Sequence, residues 1–163
     1  MFLNPRLADK EGLVCVGGEL NTNTLLQAYK QGIFPWYNEN DPILWWSPDP
    51  RFILDMNDFK ISKSLKRLLK NHPFKINFNS NFDEVIRKCK SIHQIKNNAT
   101  WINETIIKEY IKLHKLGYCI SVETYLEDEL VGGLYGVIMG KVFCGESMFS
   151  TKSNASKIAF CYL

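Results

Sequence analysis

Residues 142–150 read VFCGESMFS, a run of β-forming residues interrupted by one carboxylate, Glu146. In a regular strand successive side chains alternate between faces. That alternation predicts Cys144, Glu146 and Met148 on one face and Phe143, Gly145, Ser147 and Phe149 on the other. A carboxylate on an apolar face needs a partner or a task, because an unpaired charge is costly to take out of water. Burial raises its pKa and suits it to accept a hydrogen bond from an amine or to position another group. The preceding segment carries Gly132, Gly133 and Gly136, which permit bulges and close approach of a ligand to the backbone. Leu134, Phe143 and Met148 are then candidate walls of an apolar pocket around Glu146. The alternative is a structural ion pair between Glu146 and a Lys or Arg.

Two other groupings could serve a charged or aromatic ligand. Lys63, Lys66, Arg67 and Lys70 recur at i, i+3, i+4 and i+7, one stripe of a helix, with Leu65, Leu68 and Leu69 off the stripe. Like charges this close repel unless screened or matched by an anion, and a nucleic-acid backbone supplies one. A solvated surface face is the plainer alternative. Trp36, Tyr37, Trp45 and Trp46 crowd a Pro-rich stretch, and Trp101 precedes a later helix. Exposed indoles stack on unpaired bases. Buried ones would instead fill the core of a small N-terminal module.

The elements that must position these groups follow from caps and periodicity. NTNTLLQAYKQG predicts a helix near 23–31, with Asn and Thr as caps and Gly32 as its stop. Pro35, Pro42, Pro48 and Pro50 then exclude a helix or a central strand, so an extended connection is expected, with a module boundary at its end. SKSLKRLLKN, NFDEVIRKCKSI and NETIIKEYIKLHKLG read as helices. After Gly117 the period switches to 2: YCISVETYL, LVGGLYGVIM and VFCGESMFS form an antiparallel meander, and Ser153 and Asn154 are expected to cap a last helix. The expected class is α+β, with a small module over 1–50 and a larger domain over 51–163. The last helix ends on Ile158, Ala159, Phe160, Cys161, Tyr162 and Leu163 with no polar exit, so a domain cut short at its C-terminus is expected.

Composition narrows the classes. The 163 residues are 45% hydrophobic and 23% charged, which suits a folded soluble protein. No apolar run reaches the ~18–20 residues of a membrane span, and no secretion signal opens the chain. The five cysteines are an odd number without a C-x-x-C pair, which predicts reduced thiols in a cytosol. His72, His93 and His114 lack ligand spacing, so no metal site is expected. A net charge of +3 does not by itself identify a nucleic-acid binder. There is no G-x-G-x-x-G or Walker loop and no G-x-S-x-G elbow, and Cys144 has no neighbouring His to make it a nucleophile.

YKQGIFPWY, DPILWWSPDPR, DELVGGLYGV and VFCGESMFS…NASK, taken together and in this order, resemble the leucyl/phenylalanyl-tRNA–protein transferases from about Gly12 to Lys157. The resemblance implies transfer of leucine or phenylalanine from aminoacyl-tRNA to proteins with N-terminal Arg or Lys, marking them for degradation. It implies a cytoplasmic monomer with no metal or organic cofactor, and an acyl-CoA N-acyltransferase-like larger domain, incomplete in this chain. Lys63, Arg67 and Lys70 match positions of the family's tRNA-binding helix, on whose stripe Lys66 also falls. Trp36 and Trp101 match rings at the terminal adenosine, with Tyr29 and Tyr110 nearby. Leu134, Phe143 and Met148 match the aminoacyl pocket, and Glu146 matches a carboxylate of the active site. The family departs from this chain at Asn71, where a basic residue is usual, at Leu134, where Met is usual, and in a later D-x-Q segment with catalytic roles that lies past Leu163. Two other readings remain: a non-catalytic remnant, at most a tRNA-binding module, and an acyl-CoA acetyltransferase, which lacks its pyrophosphate loop here.

Overall fold

The structure, a computed structural model, describes residues 2, 4–97 and 100–163. Its first half begins with β1 (Leu13–Val16), α1 (Thr22–Tyr29), β2 (Phe34–Pro35) and β3 (Leu44–Trp46). The Asn21 side chain accepts the Thr24 N–H at 2.9 Å and starts α1, while Gly32, at φ +74°, turns the chain out of it. The Pro-rich stretch is not free of a central strand, as the prolines suggested. β3 is the middle strand of a three-stranded antiparallel sheet, order β1-β3-β2. Leu44–Trp46 lies between Pro42 and Pro48 and keeps every N–H, and Pro35 sits on the edge strand, where a missing donor is tolerated. Trp45 is buried in the main core shared by both halves, its Nε1 donating to the Gly17 carbonyl at 3.0 Å.

The second half runs α2 (Lys63–Lys70), β4 (Lys75–Phe78), α3 (Phe82–Asn97), α4 (Glu104–Lys115), β5 (Cys119–Leu126), β6 (Glu129–Met139), β7 (Val142–Ser150) and α5 (Ala155–Tyr162). Ser62 caps α2 and Asn103 caps α4. The expected meander is β5-β6-β7, and β4 joins it beside β5 to make a four-stranded sheet in the order β4-β5-β6-β7. β4 escapes notice in the sequence because four residues are too few to display a period, and its conformation is imposed by pairing with β5. Asn154 stands at the start of α5 with φ +65° but makes no side-chain cap, contrary to expectation. Ser150 does that work from the end of β7, accepting the Ser156 N–H at 3.3 Å.

The class is α+β. Neighbouring glycines of β6 show how the layers pack: a Cβ on Gly132 would strike Ala155 of α5, and one on Gly133 would meet Val85 of α3. Helix α5 thus covers one face of the four-stranded sheet, and α3 with α4 covers the other. Helix α1 joins α4 through Thr22, whose hydroxyl donates to Glu109 at 3.0 Å. Glu123, fully buried on β5, accepts from the Ser121 and Ser80 hydroxyls at 2.5 and 2.9 Å and pins the loop that enters α3.

The pairing of β6 with β7 carries a one-residue irregularity. Tyr135 lies opposite Ser147 and Gly136 opposite Gly145, so Glu146 is the extra residue of a bulge. The strict alternation expected from the sequence therefore fails at the carboxylate. Cys144 and Phe149 pack into the main core beside α3 and α4, and Ser147 reaches His93 of α3 on that same side. Met148 lies opposite Leu134, and Phe143 packs with Leu134 and Ala159 on the α5 side. So Met148 shares a face with Phe143, not with Cys144.

Gly136 makes the bulge possible, because a Cβ there would overlap the Phe143 ring and the Cys144 carbonyl. Gly136→Ala is expected to lower stability by about 1–3 kcal/mol, the usual cost of forcing an atom into a packed site. Urea denaturation checks this, and an unmoved midpoint would contradict the bulge.

Candidate active site

Glu146 is held by two tyrosines from two helices. Tyr29, the last residue of α1, donates its hydroxyl to Glu146 Oε1 at 2.7 Å, and Tyr110 of α4 reaches Oε2 at 3.4 Å. The two tyrosine hydroxyls lie 2.5 Å apart. Both rings belong to the core, and burial, followed by the charge of Glu146, pushes both hydroxyls well above the ordinary tyrosine range. They therefore stay protonated and serve as donors. Three oxygen–oxygen contacts share only two protons when the carboxylate is ionised; a protonated carboxyl supplies the third. Burial drives Glu146 the same way, up to about 7, against the hydrogen bonds of Tyr29 and Tyr110 and the more distant charge of Arg51, which pull it down. No ion pair among the described residues includes Glu146, so the ion-pair alternative does not hold.

The carboxyl opens on a cavity of about 360 Å³ with two unlike walls. Leu134, Phe143, Met148 and Phe160 form an apolar wall, Phe160 arriving from α5. Glu146, Ser147 and His93 form a polar one, and Trp101 completes the lining. Tyr135 also lines it, its hydroxyl buried and without a hydrogen-bond partner among the described residues. Burial, with Glu146's charge second, also raises the Cys144 thiol, which leaves it a poor nucleophile.

Of the residues singled out in the sequence, Glu146, Leu134, Phe143, Met148 and Trp101 meet in this cavity. Tyr29 and Tyr110 stand behind Glu146 rather than on an exposed stacking surface. Trp36 does not line the cavity and is 56% exposed, with its ring edge to Trp46 at 6.1 Å. Trp45 and Tyr37 are buried, so the loop divides its aromatics between core and surface. Lys63, Lys66, Arg67 and Lys70 are all exposed on α2 and enter none of the ion pairs among the described residues. The helix is nonetheless tied to the cavity. Phe59, ahead of it, packs edge-on to Phe160 at 5.6 Å, and His72, behind it, meets the Tyr162 hydroxyl at 3.0 Å. His93, Ser147 and Phe160 were not foreseen. The only hint for His93 is its i, i+4 spacing from Cys89 on one helix face.

Comparison with known proteins now bears on this site. The family profile described as leucyl/phenylalanyl-tRNA protein transferase matches residues 53–163, and the profile for that family's N-terminal domain matches 18–49. A leucyl/phenylalanyl-tRNA–protein transferase of Sulfurimonas denitrificans is 49% identical over 162 residues, covering 99% of this chain and 70% of the relative. Those of Syntrophobacter fumaroxidans and Flavobacterium johnsoniae are each 52% identical, covering 96% of this chain and 67% and 74% of the relatives. These names are those of aminoacyltransferases, a class of enzyme. The chain belongs to the leucyl/phenylalanyl-tRNA–protein transferase family.

The raised pKa of Glu146 has a consequence for stability. Between the ordinary glutamate value of 4.5 and the folded value of about 7 the unfolded chain has lost the proton while the folded chain keeps it, so stability falls as pH rises through this window. Glu146→Gln should abolish that fall, which amounts to at most about 3 kcal/mol. Urea midpoints of both forms at pH 5 and pH 7.5 check it, and parallel behaviour of the two would show the carboxyl to be unperturbed.

Proposed function

We propose that this chain transfers leucine or phenylalanine from the 3′ end of a charged tRNA to the α-amine of proteins that begin with Arg or Lys, a tag for degradation. The observation that carries the reading is the cavity itself, an apolar wall facing a buried, tyrosine-held carboxyl. Leu134, Phe143, Met148 and Phe160 would take the amino-acid side chain, selecting by shape and depth. Glu146 would accept a hydrogen bond from the amino group of the bound aminoacyl ester and so fix the carbonyl in place. Tyr29 and Tyr110 act through Glu146, as positioning residues. Trp101 at the rim and exposed Trp36 offer flat faces to the terminal adenosine. The exposed stripe Lys63, Lys66, Arg67 and Lys70 would supply cations for the acceptor-stem backbone. The five free cysteines fit work as a monomer in the reducing cytoplasm.

The chemistry asks little beyond this. The ester is already activated, and an amine displaces the 3′ oxygen to give an amide, with no redox change and no phosphate cleaved. Holding the amine against the carbonyl provides the entropic part of the acceleration, and removing one proton completes it.

The direct test is transfer of labelled leucine or phenylalanine from charged tRNA to a peptide beginning with Arg. Labelling of that peptide, and none of one beginning with Gly, is expected; an unlabelled Arg peptide at saturating substrate would sink the reading. Reversing Lys63 and Arg67 to Glu together should weaken tRNA binding and shallow its log–log salt slope by about two, one for each lost phosphate contact. An unchanged slope would remove α2 from the interface. Met148→Ala should admit side chains larger than phenylalanine, read as transfer from tRNA charged with them, and unaltered discrimination would place the selecting wall elsewhere.

A further inference from the structure

The α3–α4 layer carries a second hollow, a cleft of about 300 Å³ that shares no residue with the cavity beside Glu146. Ile107 and Ile111 of α4 give it an aliphatic lining, and Lys108, Lys112 and Lys115 of the same helix stand along it. The three lysines fall at i, i+4 and i+7, one stripe of the helix, and all are exposed. The usual partner for Lys108 is Glu104, four residues before it. Glu104 turns instead to α3, where Lys90 Nζ lies at 2.7 Å and Arg87 at 3.4 Å. Lys112 pairs with Glu109 at 2.6 Å, while Lys108 and Lys115 enter none of the ion pairs among the described residues. Leu116, which follows the stripe, is 60% exposed and adds to the apolar surface.

This mixture of groups selects among anionic partners. Like charges at helical spacing repel, so an anion set between them is favoured. A nucleic-acid backbone fits poorly here. Glu104, which lines the cleft, would face its phosphates, and the lining is aliphatic where unpaired bases need flat aromatic rings. A peptide fits both features. An aliphatic side chain leaves water against Ile111 and Leu116, over the buried Ile107, while carboxylates on either side of it meet the lysines. We propose that this cleft docks an acidic segment of a partner protein, one that carries leucine or isoleucine among its carboxylates. The docking surface lies across the sheet from α5 and from the helix α2 braced on it, so a partner here leaves Lys63, Lys66, Arg67 and Lys70 uncovered. It is independent of the transferase reading.

The experiment titrates a short fluorescein-labelled peptide of alternating glutamate and leucine with the full chain and reads anisotropy. Binding that weakens as salt is added is expected. Lys108→Glu with Lys115→Glu should weaken it about tenfold or more, because both reversals set like charges against the peptide. Glu104→Gln removes the cleft's own negative charge and should tighten binding about twofold or more, a gain that a misfolded variant does not give. Serine in place of the leucines should weaken binding about threefold or more. Lys63→Glu with Arg67→Glu should leave the affinity within about twofold. A peptide that does not bind, an affinity that follows the α2 reversals instead of those on α4, or a weaker Glu104→Gln would each overturn the proposal. Uncharged tRNA that displaces the peptide from the chain reversed at Lys63 and Arg67 would also overturn it, by showing the cleft to be a nucleic-acid site.

Discussion

One carboxyl group holds three parts of the molecule together. Glu146 on β7 meets Tyr29 at the end of α1 and Tyr110 in the middle of α4, so two helices and the four-stranded sheet converge on two oxygens. The convergence is held in place by what surrounds it: Tyr29 and Tyr110 cross edge-to-face at 6.5 Å, and Tyr110 packs in the same way on Tyr135 at 6.0 Å. A side chain at such a junction is short of water on every side but one. Its proton is therefore shared with two hydroxyls, and the site answers to pH where an exposed glutamate would not.

Two carboxylates of one sheet, on β5 and β7 with β6 between them, show what separates structure from chemistry. Glu123 accepts four donors, from the hydroxyls of Ser80 and Ser121 and the backbone of Ser80 and Asn81, and does not line the cavity beside Glu146. It fastens a loop. Glu146 has two tyrosine donors and an open side towards a cavity with an apolar wall. Glu123 is the more buried of the two, so burial alone does not mark a functional group; the unfilled space beside it does.

The cavity and the basic helix are coupled mechanically through α5. Phe160 lines the cavity and packs on Phe59 ahead of α2, and Tyr162, two residues on, meets His72 behind it. The proposed tRNA-binding stripe Lys63, Lys66, Arg67 and Lys70 thus lies on a helix braced at both ends on an element that lines the pocket. In a tRNA-dependent reaction this matters because the acceptor stem and its terminal ester are separated by only a few nucleotides.

The sequence by itself determined whatever depends on near neighbours. The stripe on α2, the Asn103 cap, the period change after Gly117 and the hairpin at Gly140 are all local, set by spacing and backbone freedom within a few residues. The four motifs of the resemblance likewise carried Glu146 and its three apolar companions. Only the tertiary structure decided which way those side chains face. The bulge that sends Met148 to join Phe143 arises from the register of β7 against β6, and a register belongs to two strands at once. The same holds for β4, which is a strand because β5 lies beside it, and for β3, central in its sheet despite flanking prolines. Tyr29 and Tyr110 stand 81 residues apart, and His93 and Ser147 stand 54 apart. Such contacts form when packing closes the loops between them, and no local rule of propensity or spacing encodes them.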